Sequence, residues 1–461
     1  MAEKSSTATT RSVVRIDMIH GGMIRKILMF SLPLIASGIL QQSFNAIDVA
    51  VVGRFSSSRA LAAVGSNGVI ISILINLFIG ISIGANVVIA NYIGRNNHNG
   101  IRKSVATVGA VALISGIFLM LIGLCITRPI LEWMDTPSDV IDLAALYLRI
   151  IFLGMPFMMI YNFGAAIMRS MGDTKRPFYA LIVGGTVNTL LNLLLVIRFG
   201  MSVEGVAIAT VVANMINAAF IIYWLRREPA PYRLELRRIS ISRNELGKML
   251  RIGVPAGVQG MVFSLANLFI QSAINGYGSD AIAGSAAALN YEVYCYFIIS
   301  AFVQAAVAFI SQNYGAGNYD RCRRAFRCCM IFSLVSCALA NILIVWQHSF
   351  FLGLFSTDPQ VMHYGMIRLH CVLMFQFIAS SYEISGGALR GLGYSMTPTI
   401  LTVFGTCVLR LIWVYTINAH YHKFDILMWI YPISWAITGL MVGTAYYVVS
   451  RKVFRHCTHS I

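Results

Sequence analysis

The chain reads as a succession of long apolar stretches separated by short polar ones. Twelve such stretches centre on residues 27–52, 60–92, 104–127, 140–165, 177–199, 203–225, 250–274, 280–314, 328–352, 360–387, 397–418 and 425–449. Each reaches the roughly 20 residues that an α-helix needs to cross a bilayer core. Apolar residues occur all round these segments rather than along one stripe, the pattern of a helix bathed in lipid. The ten-residue alternation of a transmembrane barrel is missing. The pattern predicts an all-α polytopic membrane protein with 12 transmembrane helices.

Composition agrees. The chain is 57% hydrophobic and 11% charged, where a soluble domain carries about 25% charged residues. The formal net charge of +17 would suit a nucleic-acid partner, but its placement does not. With the N-terminus inside, 27 of the 35 Lys and Arg residues fall in loops and tails on the inner side. Only Arg54, Arg59, Arg128, Arg198 and Lys423 fall outside, and Arg149, Arg368 and Arg410 fall within spans. That asymmetry is a positive-inside signal. It predicts a multi-pass protein of the cell membrane with both termini cytoplasmic, and basic loops against anionic lipid rather than nucleic acid. Residues 1–20 have no apolar core and read as a mobile tail rather than a signal peptide. The nine cysteines show no metal spacing.

The sequence repeats itself. Pro33 pairs with Pro255 and Asn45 with Asn267 at an offset of 222, which becomes 221 for Gly94 and Gly315, Arg169 and Arg390, and Pro177 and Pro398. Six spans separate the copies, so they run parallel. The expected architecture is two six-helix bundles, 25–225 and 250–450, related by a pseudo-twofold along the membrane normal. Residues 226–249 form a cytoplasmic linker, with tails at 1–24 and 451–461. Two bundles meeting at such an axis suit a transporter that rocks between two access states.

Polar residues inside spans are costly and mark function. Gln41, Asn45 and Asp48 fall on one face of span one, and Pro33 earlier in that span is a candidate hinge. Asn188 and Asn192 share a face of span five, and Thr210 lies in span six. Together with Asp48 these groups offer the oxygen ligands a hard cation such as Na⁺ wants, or a hydrogen-bond network around a protonated carboxyl. Span seven carries Gln259, Asn267 and Gln271 but no acid, a neutral polar face that offers candidate substrate contacts. Glu383 in span ten and Glu292 in span eight, the latter beside Tyr291 and Tyr294, are candidate contacts for a cationic substrate.

These residues resemble the multidrug and toxic compound extrusion (MATE) transporters, prokaryotic type, over about 25–450. The marks are Leu32-Pro33 with Asp48 and Gly53 beyond, Leu61-Ala62-Ala63-Val64-Gly65, Arg169-Ser170 with Gly172-Asp173-Thr174 and Pro177, Gly205 to Thr210, and Asn313 to Asn318. The resemblance implies a cation-coupling site at Asp48, Asn188, Asn192 and Thr210. Many relatives carry Asp where Asn192 stands. It also implies an efflux antiporter, not an enzyme, that exchanges cationic or amphipathic small molecules for H⁺ or Na⁺ without any cofactor, as a monomer in lipid. The alternatives are a lipid-linked saccharide flippase of the same superfamily, whose cavities tend to be ringed by Arg, and a non-transporting receptor or scaffold.

Overall fold

A computed structural model describes residues 15–134 and 136–458, and every regular element among them is helical. Without water in the hydrocarbon core, each span must satisfy its own backbone, and helices do so. We label the spans α1 (Met23–Phe55), α2 (Ser58–Gly94), α3 (His98–Trp133), α4 (Ile141–Leu153 with Met155–Ser170), α5 (Lys175–Arg198) and α6 (Val203–Arg226). After a linker with one short 3₁₀ turn come α7 (Arg243–Asn275), α8 (Ser279–Gly315), α9 (Tyr319–Trp346), α10 (Pro359–Gly391), α11 (Met396–Tyr421) and α12 (Phe424–Thr458). Among the described residues, eleven helices are long and apolar enough to cross a membrane, and the bent α4 makes a twelfth if its two halves are one span.

Local chemistry explains the breaks. The two halves of α4 meet at 47° across Gly154, where Pro156 removes a helical donor. Ser57, Asn97 and Asp358 cap α2, α3 and α10 by accepting from Ala60 N, Gly100 N and Gln360 N. The duplication reappears in the backbone: α5 ends in a π-helical turn at Leu193–Arg198, and α11 carries one at Val414–Asn418, 221 residues on.

The two halves touch through glycine. Gly80 and Gly84 of α2 lie against Gly253 and Gly257 of α7, each pair spaced by four. A Cβ on Gly80 would stand 2.1 Å from the backbone nitrogen of Gly257, and one on Gly253 would stand 2.4 Å from Ile81 Cα. Nearer the basic loops, the repeat-related Gly94 and Gly315 bring α2 and α8 together. Their Cβ positions would fall 2.0 Å from Gln312 O and 2.2 Å from Asn91 O. Asn76 of α2 adds hydrogen bonds to Gly260 O (3.3 Å) and Ser264 Oγ (3.0 Å). Gln312 of α8 donates to Ser170 O of α4 at 2.6 Å. The molecule is therefore shut at its basic end.

Two differences from the sequence reading stand out. The apolar cores do not part cleanly at the linker: Ile27 and Phe30 of α1 pack in the second-half core, while Met249 and Ile252 of α7 pack in the first-half core. Residues 15–22, expected as mobile tail, form an ordered strap over the basic end. Ile16 N donates to Gly172 O at 3.1 Å, and Arg15 pairs with Glu228. Asn313 and Arg321 of the second half donate to Met18 O at 3.0 and 3.3 Å. Residues 1–14 and 459–461 lie outside the described residues. The C-terminal tail is also shorter than expected, because α12 runs on to Thr458.

Overpacking the glycine seam tests this account. Gly253→Val should cost about 1–3 kcal/mol, read as a lower melting temperature in detergent micelles. Gly443→Ala, whose Cβ would meet nothing within 4 Å, should leave the melting temperature unchanged.

Candidate ion and substrate sites

The structure gathers the acid of α1 and the polar residues of α5 and α6 into one buried cluster. Asp48 is 9% exposed and Asn192 fully buried. Asn192 Nδ2 donates to Asp48 Oδ1 and, at 3.1 Å, to Asn188 Oδ1. Thr210 Oγ1 lies 3.4 Å from Asp48 Oδ2, and Asn188 Nδ2 donates to Thr210 Oγ1 at 3.3 Å. Asn192 Oδ1 is buried with no hydrogen-bond partner. A free acceptor oxygen beside a carboxylate suits either a proton shared with the acid or a small hard cation. Tyr147 of α4 lies within electrostatic reach of Asp48. Gln41 and Asn45 share the helix but not the cluster: Gln41 lines the central cavity, and Asn45 is exposed.

That cavity, about 410 Å³, lies between the halves. From α1 it takes Leu34, Ser37, Gly38 and Gln41, and from α8 Tyr296, Phe297 and Gln304. Of the expected substrate contacts, Gln259 and Glu383 line it. Tyr296 Oη donates to Glu383 Oε1 at 3.3 Å. Arg169 and Arg390 line it too, where the sequence reading put both in loops. Arg169 belongs to the last turn of α4 and Arg390 to that of α10. Arg390 Nη2 donates to Gln259 Oε1 at 2.7 Å. The sequence held a signal for them, since they pair at the repeat offset. Their charge, read as topological, assigned them to the wrong side of the helix end.

Other expected substrate residues lie away from the cavity. Glu292 is locked in a buried bidentate pair with Arg368, Nε to Oε1 at 2.6 Å and Nη2 to Oε2 at 3.0 Å. Arg368 also donates to Ser285 Oγ at 2.5 Å. Already paired with a buried counter-ion and absent from the cavity lining, Glu292 is not placed to meet a cationic ligand. Tyr291 packs against Phe351 and Phe355 and donates to Phe351 O at 2.7 Å. Tyr294 does not line the cavity either. Asn267 is exposed, and Gln271 donates to Asn275 Oδ1 at 3.0 Å on its own helix. α1 runs unbroken through Pro33, whose carbonyl accepts from Ser37 Oγ at 2.7 Å.

Comparison with known proteins matches the duplication. A family model described as MatE matches residues 33–194 and again residues 255–416. The chain belongs to the MatE family. It is 29% identical over 438 residues to "Probable multidrug resistance protein YoeA" of Bacillus subtilis, covering 93% of this chain and 94% of that protein. It is 25% identical over 392 residues to "Probable multidrug resistance protein NorM" of Thermotoga maritima, covering 84% of each. Among solved structures, an "Outward-facing conformation of a multidrug resistance MATE family transporter of the MOP superfamily" superposes with a TM-score of 0.89 at 22% identity, over 96% of this chain and 99% of that one. A "MATE in the bent conformation" gives 0.87 over 94% and 97%. These likenesses make the MatE fold secure.

The Glu292–Arg368 pair sets a stability test. Glu292→Gln strands Arg368 in the apolar interior and should cost about 3–5 kcal/mol. The double change Glu292→Leu with Arg368→Met should recover most of the loss in a detergent melting assay, because neither charge remains to be solvated.

Proposed function

We propose that this MatE protein is a secondary multidrug efflux antiporter that exports small amphipathic compounds in exchange for inward H⁺ or Na⁺. The observation that carries this reading is the buried cluster of Asp48, Asn188, Asn192 and Thr210, with an acceptor oxygen left unpaired. Curated relatives named as multidrug resistance proteins support the cargo class.

The mechanism follows from α1, which belongs to both sites. It presents Leu34, Ser37, Gly38 and Gln41 to the cavity and carries Asp48 seven residues past Gln41, about 10 Å along the axis. Ionised Asp48 accepts from Asn192 and Thr210 and ties α1 to α5 and α6. Arrival of a proton or cation at Asp48 withdraws acceptor capacity from those donors. The bonds rearrange, α1 shifts against α5, and the wall it gives the cavity changes with it. Pro33 leaves one backbone bond unmade in α1, which lowers the cost of bending there. The ion drives transport because it binds the two arrangements with different affinity. With the basic end cytoplasmic, the glycine-sealed state is the one whose cavity opens outward, where compound leaves and ion enters.

Asp48→Asn keeps the size of the side chain and removes its titration. In proteoliposomes it should abolish substrate movement driven by an imposed pH or Na⁺ gradient while the protein still inserts and folds. Separate pH and Na⁺ gradients across wild-type vesicles identify the ion. Gradient-driven transport that survives the substitution would refute the assignment of Asp48.

A further inference from the structure

The charged residues lining the central cavity are Arg169, Arg390 and Glu383. Two cations face one anion, so the lining carries a formal charge of +1. A site of that sign in a low-dielectric setting repels a bare cation and favours a ligand with an anionic group. The two arginines are repeat counterparts, one at the end of α4 and one at the end of α10, and sit on the floor of the cavity next to the sealed basic end. Their side chains are incompletely engaged. Arg390 spends one donor on Gln259, and the Nε atoms of both Arg390 and Arg169 are buried with no hydrogen-bond partner. Buried guanidinium donors left unpaired in a cavity are costly unless a ligand completes them. Glu383 stands two turns before Arg390 on the same helix, with Tyr296 beside it, and Arg390 Nη2 reaches back one turn to lie 4.0 Å from the Cβ position of Gly386. Along α10 the cavity thus offers an acceptor end and a donor end.

We propose that the central cavity recognises amphipathic compounds carrying an anionic group, a carboxylate foremost, together with a cationic centre: the anion against Arg169 and Arg390, the cation against Glu383 and Tyr296. A guanidinium pairs planar and bidentate with a carboxylate, which gives this choice geometric as well as electrostatic selectivity. The inference deepens the transporter reading by naming its substrate class, and it departs from the simple cation that Glu383 alone suggested.

A matched pair of dyes tests it. Rhodamine B carries a free carboxylate and a cationic xanthene; its methyl ester keeps the cation and loses the anion. Binding of each to the purified full-length protein in detergent is read by fluorescence anisotropy, and counterflow of each is read in proteoliposomes. The wild type should bind the acid about tenfold more tightly than the ester, the ratio that one charged hydrogen-bonded contact supplies. Arg169→Gln should collapse that ratio towards one, and Arg169→Lys should give an intermediate ratio, because the charge stays while the planar fork is lost. Arg390→Gln should act in the same direction, and Glu383→Gln should weaken the ester more than the acid. Equal binding of the two dyes, tighter binding of the ester, or no binding of either overturns the proposal, as does a ratio that Arg169→Gln leaves in place. Binding of a polyprenyl phosphate that Arg169→Gln abolishes, with neither dye bound, would assign the arginines to a lipid phosphate and overturn it too. Binding of the acid without counterflow upholds the cavity assignment and fails the antiporter, so the two readings fall separately.

Discussion

The halves of this protein are held together where backbone meets backbone. Apolar surface gives helices little reason to associate in lipid, because the tails they leave are as apolar as the partners they gain. Close approach through small residues supplies the attraction instead. Gly80 and Gly84 against Gly253 and Gly257, and Gly94 against Gly315, bring three long helices near enough for the asparagine and glutamine bonds around them to form. The cavity, the sealed end and the crossing of α1 and α7 between the two cores all depend on that contact.

The element that connects chemistry to cavity is α1. Its basic-end half packs in the core of the second half of the molecule, and its far half carries Asp48 into the first. A helix anchored in both bodies feels a change at either. On the antiporter reading, this is how an acid outside the cavity lining would bear on what the cavity holds.

Much of this was legible in the sequence for a physical reason. Lipid imposes length and apolarity on every span, so the twelve spans could be counted from composition, and an acid in such a span stands out by its cost. Helical spacing puts the paired asparagines on one face, and the resemblance to MATE transporters groups them with Asp48 and Thr210. What could not be read was which polar residues face each other across helices. Glu292 reads as a lone acid until Arg368, 76 residues away, is seen against it. Arg169 and Arg390 read as loop charges because a helix end and a loop begin with the same residues. The strap at 15–22 has no periodic signal, since its order comes from backbone groups caught by Gly172, Asn313 and Arg321.

The Glu292–Arg368 pair has a consequence for how the repeat diverged. At the offset of 221, Arg368 is the counterpart of Tyr147; Arg368 is bonded to Glu292, while Tyr147 lies within electrostatic reach of Asp48. In the first half the neighbour is an uncharged phenol, and on the proposed reading the positive charge that Asp48 meets comes from solution. In the second half the counter-ion is built into the chain and cannot diffuse away. If the proposed ion site is right, one copy of the repeat borrows its counter-ion and the other carries one on a covalent leash.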